Sequence, residues 1–355
     1  MVIYCFGYNP ILILRRKTMK KILSVMLAAL MLLSVASFTS CGEAETLKFG
    51  MGISAAYGDV TSAEGESNGT GEVIATVAAV LVDANGKIVK AELDTADNTA
   101  EYTSEGVAVA GEFKTKYELG DNYNMAAYGS DLNGDGKVLE WYAQADAFET
   151  VCVGKTVDEV KALVGDDGYH AGAELATAGC TIGVTDFIAA VEKAVANAKD
   201  STATAEHDIA VAVVTAQSTE DATADAEGAN ELDVNFAAVA KKDGKVAVIV
   251  TDVLQAKFAF DANGFATTDT TAALQTKREL GDNYNMAAYG ADLNGDGKVL
   301  EWYAQADAFE AACAGLDANG IAALVVNGYG VDSVQTAGCT IGITDLAAVA
   351  VKAAK

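Results

Sequence analysis

The sequence predicts an α+β fold of two tandem homologous domains, each an antiparallel sheet with helices packed on it. The first observation is a repeat: residues 118–149 return at 279–310, and the single difference is Ser130, which becomes Ala291. The second is the order of patterns within each copy, in which strand-like apolar runs come before helical ones. The third is the 51% content of hydrophobic residues among 355, which lets each half bury a core.

The repeat extends well beyond this block. The flanking segments that also match are 78–94 with 237–252 and 176–194 with 335–353. A period of about 160 residues is far longer than that of solenoid repeats, so we predict one duplicated domain. Copy 1 is placed at residues 41–198 and copy 2 at residues 199–355, with the polar run at 197–208 as the joint.

Each copy opens with a predicted β-hairpin. In copy 1 the runs from Val77 to Val82 and from Lys87 to Leu93 flank a turn at Asn85-Gly86. Asp243-Gly244 takes the same place in copy 2. Both dipeptides suit a tight turn between two strands.

Helical patterns follow the hairpin. One helix face is predicted from helical spacing, at Leu139, Tyr142, Ala145 and Phe148/Glu149. A capping box is predicted at Thr156 and Glu159. The last element of the copy is predicted to be an amphipathic helix whose apolar face is formed by Phe187, Ile188, Val191 and Val195.

The first 40 residues have the pattern of an export leader. Residues 1–18 look like translation from an upstream start, and residues 19–40 combine two lysines, a short apolar run and small residues, as a signal peptide does. Cys41 resembles the cysteine of a bacterial lipobox, which predicts a lipid anchor to the membrane at the extracytoplasmic face. An uncleaved membrane anchor is the alternative, although about 17 apolar residues are few for a span.

The chain is strongly acidic, with a formal net charge of −26. This charge repels the phosphates of nucleic acids and argues against nucleic-acid binding. It suits a soluble face exposed at the cell surface.

The repeated block contains the opening of a calcium loop. Asp131, Asn133, Asp135 and Gly136 match positions one, three, five and six of an EF-hand. Position twelve, which should be a bidentate glutamate, is Tyr142. A plain turn stabilised by its own Asx side chains is therefore the alternative.

Two cysteines of each copy recur, Cys152 and Cys180 as Cys313 and Cys339. A disulfide within each copy and a pair of buried free thiols both fit an exported protein, and both alternatives stay open. The two histidines of the chain do not recur, which excludes a histidine-based centre common to both copies.

A short motif, AGCT, stands just ahead of the predicted last helix of each copy. Its residues are Gly179, Cys180 and Thr181 in copy 1 and Gly338, Cys339 and Thr340 in copy 2. Free N–H groups and the positive dipole end at a helix start favour a phosphate. A threonine that only caps the helix is the alternative.

Three motifs together resemble the FMN-binding domain family, found in the C subunit of sodium-translocating NADH:quinone reductase, the related Rnf subunit and Gram-positive surface flavoprotein lipoproteins. They are the strand pair around NGKIVKAELD and DGKVAVIVTD, the ELGDNY segments at 118–123 and 279–284, and AGCT at 178–181 and 337–340. The family's attachment motif is roughly Ser-Gly-Ala-Thr. Here alanine replaces the serine and cysteine replaces the alanine.

The resemblance implies that a flavin transferase joins FMN through a phosphoester to Thr181 and Thr340. The other cofactor-binding residues it implies are Leu119, Gly120, Gly179, Cys180, Leu280, Gly281, Gly338 and Cys339. An aromatic face for the flavin ring is expected from Tyr123, Met125, Trp141 and Tyr142, with core packing as the alternative. Lys116 and Lys277 are expected to complement a phosphate or a reduced flavin, with simple solvation as the alternative.

The predicted function is an electron relay at the cell surface, without bond chemistry of its own. The flavin passes electrons to a redox partner, and the protein sets its exposure and potential. The alternative is a non-redox surface binding or structural lipoprotein that binds calcium or a small ligand on a degenerate flavin fold.

Overall fold

Each copy of the repeat begins with a three-stranded antiparallel meander in the computed structural model, which describes residues 45–128, 138–290 and 299–355. The strands are β1 (Lys48–Thr61), β2 (Gly69–Val82), β3 (Ile88–Tyr102), β4 (Ala108–Val109), β5 (Lys199–Asp200), β6 (Asp208–Glu220), β7 (Gly228–Lys242), β8 (Lys245–Phe260), β9 (Val325–Val326) and β10 (Tyr329–Gly330).

Helices follow the meander in both copies. They are α1 (Lys116–Leu119), α2 (Met125–Tyr128), α3 (Trp141–Cys152), α4 (Val157–Lys161), α5 (Ala173–Ala178), α6 (Thr185–Asn197), α7 (Lys277–Leu280), α8 (Met286–Tyr289), α9 (Trp302–Cys313), α10 (Ala318–Ala322), α11 (Asp332–Thr336) and α12 (Thr344–Ala354). Two 3-10 turns, Gly120–Tyr123 and Gly281–Tyr284, follow α1 and α7.

The described strands pair in an antiparallel manner in three sheets. Their orders are β4-β3-β2-β1-β5, β6-β7-β8 and β9-β10. The hairpin predicted around Asn85-Gly86 is confirmed, and Asp83 Oδ1 stabilises its turn by accepting from the N–H groups of Asn85 and Lys87 at 2.8 Å. The predicted α+β class with antiparallel sheets is confirmed.

The two large sheets share one core. Val77 and Leu81 of β2 are buried together with Phe236 and Ala240 of β7. Residues 45–355 therefore form one compact unit, and the predicted division into two domains is not confirmed. The physical reason is that the inner face of each sheet is apolar and is covered by the other copy.

The outer face of each sheet is covered by helices of the same copy. In copy 1, α3 packs on β3 and α6 packs on β1 and β2; in copy 2, α9 packs on β8 and α12 on β6 and β7. The contact of α6 with β1 requires glycine, because a Cβ added to Gly52 would lie 2.2 Å from the backbone nitrogen of Ala194. Each copy thus has an outer core of its own.

Two helix predictions are confirmed. Thr156 and Glu159 form the capping box of α4, with Glu159 Oε2 accepting from the Thr156 N–H at 2.8 Å. The last helix, α6, buries Phe187, Ile188 and Val191 against the sheet.

The buried face of α3 differs from the prediction. The helix begins at Trp141 and buries Trp141, Ala145 and Phe148. Leu139 precedes the helix and is 37% exposed, and Tyr142 is only partly buried. Ala145 and Phe148 were predicted correctly, but Leu139 was wrong because Glu140 is the extended N-cap residue and the helix begins after it.

Several predicted features lie outside the described residues. They are the leader at 1–40, Cys41, and the calcium-loop residues Asp131, Asn133, Asp135 and Gly136 with their second copy. Among the described helices, none is long and apolar enough to cross a membrane.

Candidate functional site

The AGCT motif ends one helix instead of starting the next. Gly179 closes α5 in the left-handed conformation, and its N–H donates to Ala176 O at 3.1 Å. The Cys180 N–H donates to Leu175 O at 2.9 Å. Since α6 begins only at Thr185, the predicted set of free N–H groups at a helix start is wrong for this motif.

Copy 2 has the same arrangement. Gly338 is left-handed (φ 114°) and donates to Gln335 O at 2.9 Å, and the Cys339 N–H donates to Val334 O at 3.1 Å. α12 begins at Thr344. Both AGCT motifs therefore lie at helix ends, and the N–H groups of their glycine and cysteine are already bonded to carbonyls of the preceding helix.

The threonine of each motif is held by a buried glutamine. The N–H and the hydroxyl of Thr181 both donate to Gln144 Oε1, at 2.9 and 3.1 Å. The N–H and the hydroxyl of Thr340 donate to Gln305 Oε1 at the same two distances. The two glutamines are 2% and 3% exposed, whereas both threonines are half-buried.

The other end of each glutamine reaches two more segments. Gln144 Nε2 donates to Leu139 O at 2.9 Å and lies 3.5 Å from Met125 Sδ. Met125 lies two residues after the ELGDNY segment, so Gln144 joins the end of that segment to Thr181. We call Met125, Gln144 and Thr181 the glutamine site of copy 1; Met286, Gln305 and Thr340 are the glutamine site of copy 2.

Sequence reasoning missed the two glutamines. A usable signal existed, because Gln144 falls on the same helix face as Trp141, Ala145 and Phe148, and this face is buried. A buried polar side chain needs hydrogen-bond partners. Its partners lie 5, 19 and 37 residues away in sequence, and the sequence alone does not identify them.

The ELGDNY segment is a tightly bonded turn. Gly120, with φ 50° and ψ −128°, joins α1 to the 3-10 turn, in a conformation that favours glycine. The hydroxyl of Tyr142 donates to Asp121 Oδ1 at 3.1 Å. Leu119 and Gly120 are half-buried at this junction, and Leu280 and Gly281 match them in copy 2.

Glu140 lies two residues before Tyr142, the position at which an EF-hand has its bidentate glutamate, and it caps a helix. Its carboxylate accepts from the N–H groups of Met125 and Ala126, at 2.9 and 3.3 Å, and so caps α2. Glu301 caps α8 in the same way. Within the described parts of the chain, no three His, Cys, Asp or Glu side chains are arranged to hold a metal ion.

A groove opens beside Thr340. It has a volume of about 710 Å³, and Asn327, Tyr329, Ser333 and Gln335 line it together with Thr340. This volume is in the range of small-molecule sites. Tyr329 is 49% exposed there and offers an aromatic surface.

The predicted aromatic face belongs to the outer core of copy 1, with Tyr123, Met125 and Tyr142 partly buried against it. Trp141 is 3% exposed and meets Phe187 edge-on at 5.7 Å between ring centroids, so it is a core residue. Lys116 lies 5.0 Å from the Tyr123 ring centroid and 3.1 Å from Asp97. That lysine is ion-paired within its own copy rather than simply solvated.

The four cysteines of the described chain are free and buried. Burial raises the pKa of Cys152 and Cys313 to about 12, and that of Cys180 and Cys339 to about 11. The thiols are therefore protonated core groups, and the disulfide alternative is not realised between them.

A group of acids lies beside α3 in copy 1, and of its members Asp94 and Glu149 are buried, Glu92 is half-buried and Asp146 is exposed. Glu149 of α3 accepts from the Leu93 N–H at 2.8 Å. Burial, followed by the charge of Glu92, raises the pKa of Glu149 to about 9, and burial raises the pKa of Glu92 to about 7. We call Glu92, Asp94, Asp146 and Glu149 the acid pocket.

The matching pocket of copy 2 contains a cation. Arg278 donates to Asp307 Oδ1 at 2.8 Å and to Glu310 Oε1 at 2.7 Å, and its Nε donates to Thr251 O at 2.6 Å. Sequence reasoning missed this pocket as well. The signal was the change from Lys-Tyr-Glu at 116–118 to Lys-Arg-Glu at 277–279, next to an otherwise identical block.

Comparison of the chain with protein-family models, curated proteins and solved structures found no match. The resemblance to the FMN-binding family therefore stays a prediction that rests on the three motifs.

Proposed function

We propose that this protein is a surface flavoprotein with two equivalent cofactor sites, at Thr181 and Thr340, that relays electrons to a redox partner. The observation that carries the proposal is the paired glutamine site. In both copies a half-buried threonine hydroxyl is fixed at 3.1 Å from a buried amide oxygen. In copy 2 that threonine also lines a groove large enough for a small molecule.

The residues present are compatible with an FMN ester at this hydroxyl. The atom that fixes the hydroxyl is a neutral amide oxygen, so this partner adds no negative charge beside a phosphate. When the hydroxyl proton is lost in the ester, Gln144 Oε1 still accepts from the Thr181 N–H at 2.9 Å. The backbone of the site can thus keep its position, while the ester oxygen must turn away from Gln144 Oε1, because no proton is left between these two acceptors.

Each group of the site has a defined part in this proposal. Thr181 and Thr340 carry the cofactor, and Gln144 and Gln305 orient them. Met125 and Met286 bring the ELGDNY segments to the same place. Bound FMN would supply the electron chemistry, and the lipid anchor predicted at Cys41 would keep the protein at the membrane surface.

The test is the intact mass of the chain produced together with a flavin transferase. We expect two FMN-sized additions, of which Thr181→Val removes one and Thr340→Val the other. Thr177→Val is the matched control, because the Thr177 hydroxyl donates to Ala173 O within α5 and lies outside the glutamine site. This variant should keep both additions.

A wild-type chain without added mass, and without yellow colour on supply of free FMN, would overturn the proposal. That result would favour the non-redox surface-binding alternative. One addition that survives in both valine variants would place the cofactor elsewhere.

A further inference from the structure

Each copy extends a lysine of its last helix to the other copy. Lys352, in α12 of copy 2, lies 2.7 Å from Glu118 Oε1 of copy 1. Lys193, in α6 of copy 1, lies 2.5 Å from Glu279 Oε1 of copy 2. The two ion pairs are reciprocal, because the same helix and the same glutamate are used on both sides.

Each lysine is also fixed by its own copy. Lys352 Nζ donates to Val213 O of β6 at 2.6 Å, and Lys193 Nζ donates to Ile53 O of β1 at 2.8 Å. A surface ion pair is weak largely because two flexible side chains must be ordered to form it. Here a strand carbonyl already orders the ammonium group, which lowers that cost.

The two glutamates begin the ELGDNY segments. Glu118 Oε2 accepts from the Thr115 N–H at 3.0 Å, and the Glu118 N–H donates to Thr115 Oγ1 at 3.2 Å. Glu279 and Thr276 form the same capping box at the same two distances. One carboxylate therefore caps the short helix and also binds the lysine of the other copy.

The short helix leads directly to the glutamine site. After α1 the chain is fixed by Asp121, which accepts from the Tyr142 hydroxyl, and by Met125, which contacts Gln144. The position of α1 thus sets where this segment enters the site. In copy 2, Asp282 and Met286 make the matching contacts.

We propose that Lys352 and Lys193 are positioning residues that act across the two copies. Lys352 fixes residues 116–124 of copy 1, and Lys193 fixes residues 277–285 of copy 2. Each glutamine site is then complete only when both copies are folded together, whatever the sites bind.

Hydrogen exchange measured by mass spectrometry on the full chain tests this proposal. Lys352→Met should speed amide exchange at residues 116–124 by roughly three- to tenfold, as expected for one charged hydrogen bond on a surface. Exchange at residues 277–285 should not change. Lys193→Met should give the opposite pattern.

Conservative variants distinguish a specific effect on residues 116–124 from a general loss of stability. Lys352→Arg keeps the charge and its donors, so it should keep the protection of residues 116–124. Glu118→Gln keeps the capping box, and its effect should not add to that of Lys352→Met, because both remove one ion pair.

Faster exchange confined to α12, where Lys352 lies, and to β6, whose Val213 carbonyl it contacts, would overturn the proposal. So would unchanged exchange in both ELGDNY segments, since the lysines would then be surface contacts without influence on the sites.

Discussion

In copy 2 a cation lies between the largely buried carboxylate of Glu310 and the exposed carboxylate of Asp307, whereas in copy 1 a tyrosine takes its place. Arg278 reaches Asp307 and Glu310 at 2.8 and 2.7 Å. Tyr117 occupies the matching position, and its hydroxyl donates to Asp146 Oδ1 at 2.8 Å. In addition, copy 1 has Glu92 where copy 2 has Val250 in the aligned strands.

The difference shows two ways to bury the same acids. In copy 2, burial raises the pKa of Glu310, but the charge of Arg278 opposes this shift. In copy 1, burial and the neighbouring Glu92 both favour the neutral form of Glu149, whose pKa is raised to about 9. Copy 2 neutralises its pocket with a cation, and copy 1 does so with protons.

The glutamine sites did not diverge in this way. The distances from the glutamine Nε2 to the leucine carbonyl are 2.9 Å in both copies, and those to the methionine sulfur are 3.5 and 3.6 Å. The copies therefore changed the charges beside their cores while keeping nearly the same geometry around Thr181 and Thr340, where Gln305 Oε1 accepts one further bond, from the Ile341 N–H at 3.2 Å. This contrast is what a shared function at the glutamine sites predicts.

The largest expected effect comes from removing the cation of copy 2. Arg278→Tyr should lower the free energy of unfolding at pH 7 by about 3–5 kcal/mol, because it leaves the largely buried carboxylate of Glu310 without its partner. Urea unfolding measures this. Arg278→Lys, which keeps the charge but not the forked geometry, should cost less; equal losses for both variants would contradict the role of the guanidinium.

The next effect is a pH dependence that belongs to copy 1. The pKa of Glu149 rises from an ordinary 4.5 to about 9 on folding, so its proton stabilises the folded chain fully below pH 4.5. That stability is lost as the pH rises toward 9. At about 1.4 kcal/mol per unit of pKa difference, the loss between pH 5 and pH 9 is at most about 5 kcal/mol.

Two variants assign this pH dependence to the acid pocket. Glu149→Gln keeps an acceptor for the Leu93 N–H and should flatten the profile, and Tyr117→Arg should flatten it by supplying the cation that copy 2 has. Urea unfolding across the pH series is the measurement. A profile that stays as steep in both variants would place the titrating group elsewhere.

The smallest effect concerns the glutamine sites themselves. Gln144→Met removes the acceptor of two hydrogen bonds from Thr181, and the expected loss of stability is about 1–3 kcal/mol. Exchange of the Thr181 amide should become faster, while that of Thr340 should not. Gln305→Met is the matched control and should give the reverse pattern. Faster exchange at both threonine amides in either variant would contradict the prediction that each glutamine holds only the threonine of its own copy.

Much of the local structure was predictable because local chemistry decides it. The turn at Asn85-Gly86, the capping box at Thr156 and the amphipathic helix α6 each follow from residues close together in sequence. The AGCT motif was placed wrongly because Gly179 ends α5. Glycine at a helix end and glycine before a helix look alike unless the preceding short helix is recognised.

By itself, the sequence determined that the chain contains one pattern twice, that each copy is α+β, and that no histidine centre is common to both. Only the tertiary structure decided that the two sheets share a core, that Gln144 joins Met125 to Thr181, and that Lys352 and Lys193 cross between the copies. Turns and caps depend on neighbours in sequence, whereas these contacts join residues that only the packing of two apolar sheet faces brings together. The acid pocket shows the same limit. The change from Tyr117 to Arg278 is visible in the sequence, but only the packing shows that each side chain contacts a carboxylate.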